Sequence, residues 1–351
     1  MNPRTYRVSS ILKKKQAYYI SNPSDVFYLS GFTGTFGKIV VFPGRAVFMT
    51  DPRYEGMVLK SKIASDFEII IVKNFHADLT LLIKKNEVLL NKNIPLSEYL
   101  MISENCLKTR LDLTVSLLRM IKDKEEIDTI KKSVAIAEKA MKHTEKILKI
   151  GITEKDLSLE FDYFSRKQGA DCLSFSPIIA FNENGAVPHH ATSSRKLKAN
   201  TLVLVDAGVK YKGYASDLTR VFAFGIIKTR LGQIQKHYES VRKAKETGLL
   251  SYKPGIIIKE ADLAARKSLA ADGLDRYFTH SLGHGLGLDV HEPPSVNPKE
   301  ELKFEKGMVF SCEPGVYFDG NYGIRIEDDY LITDKGAIKL GDFDDSLIIC
   351  G

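Results

Sequence analysis

From Lys124 onward, apolar residues recur at Ile127, Ile130, Val134, Ala137, Met141 and Ile147 with charged residues between them. That is the spacing of an amphipathic helix, and Gly151 stands where such a helix would stop. Thr153 then offers an N-cap for a second amphipathic segment, with Asp156 rather than Glu at the third following position. Between Asp171 and Gly225 the pattern turns strand-like. "TLVLVD" (201–206) is an unbroken branched run and "SDLTRVFAF" a second, while the polar "KYKG" between them predicts a turn near Tyr211 and Lys212. After Thr229 charged helical sequence returns to about Leu250, "YKPGI" marks a loop, and another helix runs to about Ala271. Strands such as "VFSCEP" and "GIRIEDDY" close the chain. Helix pairs followed by strands thus occur twice, which predicts a duplicated α/β layout even though the halves share no evident identity.

The first 120 residues read differently. A candidate basic helix precedes "VFYLSGFTGTFGKIVVFPGRAVFMTDPRY", whose short apolar runs are punctuated by glycine and by Pro43-Gly44, and lysine-rich segments then alternate with strands such as "FEIIIV". The pattern predicts an α/β domain over 1–120 and a second domain over 121–351.

The polar residues set into the later strands carry chemistry. Asp206 and Asp217 flank the predicted turn, which would set them opposite each other on one sheet face. Two carboxylates on a mostly apolar face repel unless a cation or proton lies between them. Taken alone, the segment is equally a pair of strand ends facing water. Downstream, Glu313 ends "VFSCEP", Arg325 and Glu327 alternate onto one face of "GIRIEDDY", and "FTHSLGHGLGLDVHEP" contributes His280, His284 and His291 in a glycine-rich stretch. Two Asp, two Glu and one His could ligate two divalent ions about 3.5 to 4 Å apart, the arrangement that activates water for hydrolysis. The "GHGLG" segment has neither the glycine spacing nor the strand-to-helix context of a nucleotide fingerprint.

These separated motifs, in this order, resemble the pita-bread metallopeptidases of the Xaa-Pro aminopeptidase and Xaa-Pro dipeptidase (prolidase) branch. The resemblance spans nearly the whole chain. It implies a creatinase-like N-terminal α/β domain, which helps to form a dimer and narrows the substrate entrance. A pita-bread catalytic domain with a pseudo-twofold curved antiparallel sheet would follow, α/β (α+β) overall. It further implies that Asp206, Asp217, His284, Glu313 and Glu327 are metal ligands, with Asp217 and Glu327 bridging, and that Glu313 also carries the proton. His189, in "FNENGAVPHH", and His291 would stabilise the tetrahedral intermediate, and His280 would line the pocket for the proline-side residue. Arg325, which has donors only, orients a carboxylate, either within the metal shell or on the substrate. Removal of the first residue before proline is the reading adopted, with Xaa-Pro dipeptidase or a non-peptidase pita-bread binding protein as alternatives. The implied cofactor is two divalent ions per subunit, manganese first, then cobalt, zinc or iron; the implied partners are proline-containing peptides and a second copy of the chain.

Composition bounds the setting. At 351 residues and 44% hydrophobic the chain can bury two cores, and four cysteines without metal-site spacing suit a reduced cytoplasm. A formal charge of +7, from 51 basic and 44 acidic residues, is spread without a basic stripe interleaved with aromatics, which argues against nucleic acid. No uncharged apolar run of membrane-spanning length occurs, which argues against a membrane partner.

Overall fold

Apolar runs in the first 119 residues pair into one mixed sheet in the computed structural model, which describes residues 1–226 and 228–351. Its strands lie in the order Glu68–Ile71, Arg45–Thr50, Gly37–Phe42, Gln16–Ile20, Glu87–Asn91 and Lys108–Asp112. Gly37–Phe42 and Arg45–Thr50 form an antiparallel hairpin across Pro43-Gly44, while the pairs towards both edges are parallel. Val40, Val47, Met49, Val88 and Leu90 build a core on one face of this sheet, joined by Leu79 and Ile83 from helix Phe75–Ile83 and by Ile102 from helix Leu96–Asn105. This unit is Met1–Arg119; the second compact unit is Met120–Gly351.

In the second unit the predicted helices fall at Lys124–Ile147, Glu154–Lys167, Lys228–Leu249 and Lys259–Ala271. Asp156 completes a capping box in spite of its short side chain. Its backbone N–H donates to Thr153 Oγ1 at 3.0 Å, and its carboxylate accepts from the Thr153 N–H at 2.9 Å.

The duplication is visible in mirrored contacts. Gly151 donates to Leu197 O at 2.9 Å and Leu197 N–H donates to Ile152 O at 2.8 Å; Gly255 and Phe304 with Ile256 repeat the pattern at 2.9 Å each. Both glycines have positive φ, +91° and +87°, and each is followed by one isolated bridge, Thr153 to Lys196 and Ile257 to Lys303. The helix starts "GITEKD" and "GIIIKE" are therefore structural counterparts.

Two larger sheets build the second unit. One holds Ile348–Cys350, Thr219–Phe224, Thr201–Asp206 and Ile178–Phe181; the other holds Glu292–Val296, Gly283–Gly285, Val309–Cys312, Asp328–Thr333 and Gly336–Lys339. A bridge between Thr219 and Glu327 ties the two. The expected pairing of Asp206 with Asp217 is corrected here: Asp206 pairs with Thr219, and Asp217 lies two residues earlier, outside the ladder. The turn falls at Lys212-Gly213, both at positive φ, between the short strands Val209–Tyr211 and Tyr214–Ala215, so the ribbon breaks and restarts before Thr219. Gly208 makes that break feasible, since a Cβ there would stand 1.9 Å from Ser216 O. "GIRIEDDY" is likewise two elements. Tyr322–Arg325 pairs with Gly315–Phe318 in a separate hairpin, and Asp328–Thr333 belongs to the larger sheet, so Arg325 reaches the cavity from the end of the hairpin and Glu327 from the link that precedes the larger sheet's strand. No described helix is long and apolar enough to cross a membrane.

Candidate metal centre

The nine residues singled out from sequence, His189, Asp206, Asp217, His280, His284, His291, Glu313, Arg325 and Glu327, all line one cavity of about 730 Å³. Strand ends deliver most of them. Asp206 terminates Thr201–Asp206, Glu313 follows Val309–Cys312, and His284 is the middle residue of Gly283–Gly285. Backbone bonds fix these ends: Glu313 N–H donates to Leu282 O at 2.8 Å, and Asp217 N–H donates to Asp329 Oδ2 at 2.9 Å.

The acidic oxygens converge on one imidazole. His284 Nδ1 lies 3.1 Å from Gly285 O, so that nitrogen carries the proton and Nε2 presents a lone pair. Nε2 is 3.4 Å from Glu313 Oε1 and 3.6 Å from Asp217 Oδ2. Ligand atoms of Asp217, His284 and Glu327 lie within 4.8 Å of one another. Asp206 Oδ1, Asp217 Oδ1 and Glu327 Oε1 are buried and have no hydrogen-bond partner.

Electrostatics registers the crowding. Burial, then the neighbouring carboxylates, raise Asp217 and Glu313 well above the usual carboxylate range. Burial and Asp206 push Glu327 up to about 8. Burial followed by His291 lowers His284 to about 3, so its imidazole is neutral. Mutually repelling carboxylates, three of them with an unpartnered oxygen, beside a neutral imidazole lone pair are what a divalent cation satisfies together. The residues present therefore fit a metal.

Arg325 organises the opposite wall. Its Nη2 donates to Asp206 Oδ2 at 2.5 Å, Nη1 to Tyr317 Oη at 2.7 Å, and Nε to Thr219 Oγ1 at 3.1 Å. Thr219 in turn donates to Glu327 Oε2 at 2.6 Å. His280 Nδ1 is 2.8 Å from Ser281 O, which leaves Nε2 to accept from Tyr317 Oη at 2.8 Å. Burial, then the Arg325 charge, lower His280 to about 4. His291 packs edge-on to His284 with ring centroids 4.3 Å apart, and burial followed by His189 lowers it as well. His189 and His190 diverge: His190 Nε2 sits 3.0 Å from Glu154, whereas His189 lies close enough to His280 and His291 to disfavour their protonation.

Sequence reasoning passed over Thr219, Tyr317 and Asp329. Thr219 stands two positions after Asp217, a spacing that could have flagged it. Tyr317 and Asp329 gave no local signal, because their partners lie on other elements.

Sequence profiles of known families divide the chain in two. The Creatinase/Prolidase N-terminal domain matches residues 4–121, and Metallopeptidase family M24 matches residues 128–334. An Xaa-Pro dipeptidase of Pyrococcus furiosus is 33% identical over 92% of this chain and 92% of its own length. Among solved structures, an Xaa-Pro dipeptidase from Bacillus anthracis superposes with a TM-score of 0.92 at 31% identity, covering 99% of both chains. An X-Pro aminopeptidase from Thermotoga maritima superposes with a TM-score of 0.88 at 30% identity, again covering 99% of both.

Proposed function

This chain belongs to metallopeptidase family M24, and from that footing we propose that it is a metal-dependent hydrolase removing the N-terminal residue from peptides with proline in second position. The observation that carries the reading is the gathering in one cavity of the His284 imidazole with Asp206, Asp217 and Glu327, each of which keeps a buried carboxylate oxygen without a hydrogen-bond partner. Asp206, Asp217, His284, Glu313 and Glu327 would hold two divalent cations, with Asp217 and Glu327 bridging. When bound, such a pair polarises the scissile carbonyl and activates the attacking water.

The side chains then have distinct tasks. Glu313 passes a proton from the water to the departing proline nitrogen, which has no hydrogen of its own before cleavage. His189 and His291 donate N–H to the charge developing on the carbonyl oxygen, and His280 lines the proline side. Phe175, Ile178, Pro188 and Pro293 add apolar wall suited to a pyrrolidine ring. Arg325 holds Asp206 in place through its donor fork.

One feature supports the aminopeptidase over the dipeptidase. Arg325 is the one Lys or Arg among the described cavity-lining residues, and its guanidinium is directed to Asp206, Tyr317 and Thr219. A dipeptidase must neutralise a free substrate carboxylate near the scissile bond, a need that a longer peptide does not impose. The likeness to the Pyrococcus and Bacillus dipeptidases favours the second reading, Xaa-Pro dipeptidase. Matched Xaa-Pro and Xaa-Pro-Yaa-Zaa peptides decide between them, with manganese restored after chelation and Asp217→Ala as control. Release of the first residue from the longer peptide is expected; cleavage of the dipeptide alone moves the assignment to dipeptidase, and no metal-dependent cleavage of either rejects both.

Manganese is the ion proposed, because four carboxylates and one imidazole form a hard, oxygen-rich set. A cytoplasmic homodimer is the proposed working state. Metal analysis of protein purified without added metal, and light scattering, test the ion and the oligomer.

Tyr317→Phe should retain metal binding and lower kcat about tenfold or more, because His280 loses its hydroxyl donor and Arg325 an acceptor. Steady-state kinetics beside a metal titration measure it; an unchanged kcat would remove Tyr317 from the proposed machinery.

A further inference from the structure

The loop that carries His189 is closed at its neck by one carboxylate. Glu154, first residue of helix Glu154–Lys167, is 0% exposed. Its Oε1 accepts from Phe181 N–H at 2.8 Å and from Asn184 Nδ2 at 2.7 Å. Its Oε2 accepts from Ser193 N–H at 2.9 Å and Ser193 Oγ at 2.6 Å, and lies 3.0 Å from His190 Nε2. Phe181 is where the strand Ile178–Phe181 enters the loop, and Ser193 is where the chain leaves it. Between them stand Pro188, His189 and His190, all on the cavity wall.

The duplicated architecture supplies a control. In the second half the counterpart of Glu154 is Ile258: each residue's N–H donates to the chain opposite, Glu154 to Arg195 O and Ile258 to Leu302 O, at matching places beside the paired glycines. Ile258 is also 0% exposed and packs into the apolar core. The fold thus accepts an apolar side chain at this place. A buried carboxylate is costly there unless fully partnered, and the partners Glu154 has gathered all belong to the loop. Burial drives its pKa upward, but the hydrogen bonds from Ser193, His190, Asn184 and Phe181 prevail and hold it below the ordinary range.

We propose that Glu154 is a positioning residue that clamps the loop 181–193 and thereby fixes His189 against the reacting bond. The clamp itself is independent of the reaction; only the role of His189 rests on the peptidase reading. Thr192, which donates to Pro177 O at 2.7 Å and accepts from Ile179 N–H at 3.0 Å, holds the outer stem. Within Asn184 to His190 the backbone bonds from Val187 N–H to Asn184 O and from His190 N–H to Val187 O tie the segment only to itself, and Arg325 Nη1 adds one long contact, 3.5 Å, to Pro188 O.

Hydrogen exchange on the full chain with manganese tests the clamp, comparing wild type with Glu154→Gln and Glu154→Ile. Amides of 181–193 should exchange roughly tenfold faster or more in both variants, with those of 278–291 unchanged. On an Xaa-Pro-Yaa-Zaa peptide, kcat should fall roughly 10- to 100-fold with KM little moved. In a His189→Ala background Glu154→Gln should add almost nothing, which a merely structural role would not produce. Unchanged loop exchange in the folded variants overturns the proposal, as does full additivity with His189→Ala. If wild type cleaves no such peptide, the aminopeptidase reading fails, the kinetic comparison moves to the Xaa-Pro dipeptide, and exchange still decides the clamp. Should neither variant fold, Ser193→Ala, which removes one donor and leaves the carboxylate, is read by the same exchange experiment.

Discussion

Asp217→Asn is expected to raise the melting temperature of the metal-depleted protein while abolishing its stabilisation by manganese and lowering kcat/KM by about 10³-fold or more. Both effects follow from the same crowding. Asp217, Glu313 and Glu327 are buried carboxylates whose pKa values stand above the ordinary range, Glu327 at about 8. In the unfolded chain such groups release their protons near pH 4. Between the two values the folded state holds more of these protons than the unfolded state, so the contribution of these three carboxylates to the stability of metal-depleted protein is fullest below about pH 4 and falls as pH rises towards 8. An amide at position 217 removes one repelling charge and should flatten that decline. Bound cations act in the opposite direction, and at a thousandfold excess over Kd they add about 4 kcal/mol. Thermal unfolding in chelator and in manganese, stepped from pH 4.5 to 8.5, reads all of this. A wild type indifferent to metal, or an Asn variant less stable in chelator, would overturn the metal-centre assignment.

Much of this arrangement was legible in the sequence because its parts are local. Amphipathic spacing with Gly151 and Thr153 marked the first helix pair, and Asp156 could substitute for Glu in the capping box because the box needs only a carboxylate near the Thr153 N–H. The strand-end residues Asp206 and Glu313 were visible as single polar groups closing apolar runs. What failed was register. "KYKG" predicted a turn, but the break beside Gly208 that displaces Asp217 from the ladder depends on a backbone approach from Ser216, which no spacing rule encodes. "GIRIEDDY" alternates as one strand would, yet Ile326 and Glu327 span the passage between two sheets. The duplication was legible only as a repeated order of helix pairs and strands, for a related reason: what the halves share residue by residue is a pair of glycines at positive φ and their bonds to a distant segment, and the side chains beside them differ as sharply as Glu154 and Ile258. Glu154 gave no signal because its partners lie far away in sequence, and Tyr317 because its two partners, His280 and Arg325, stand on other elements.

The same distance in sequence hides the group whose loss should cost the most stability. Arg220, on strand Thr219–Phe224, is 0% exposed and spends its whole guanidinium on the chain around the site. Nε donates to Asp344 O at 2.8 Å, and Nη1 donates to Thr219 O at 2.8 Å and Glu327 O at 2.7 Å. Nη2 donates to Asp328 Oδ1 at 2.6 Å and Phe343 O at 3.0 Å. Lys245 and Lys339 bond the same aspartate. Burial alone would raise Asp328, but Arg220, Lys245 and Lys339 bring it down to about 2. Arg220→Leu would strand these carbonyls and weaken the charge balance, for a loss of about 3 to 5 kcal/mol. Arg220→Lys should recover only a fraction, since a compact ammonium cannot span acceptors on opposite sides of a planar fork. For a unit of this size that loss corresponds to roughly 6 to 20 °C in Tm. A thermodynamic cycle with Asp328→Asn should show coupling of about 1 kcal/mol or more, because the residues share one buried network. Activity measured well below the melting transition should also fall, as the Glu327 carbonyl loses the donor that fixes a proposed bridging ligand to segment 343–344. An Arg220→Leu protein within about 1 kcal/mol of wild type would mean that the apolar packing of Phe222 and Phe343 alone secures this wall.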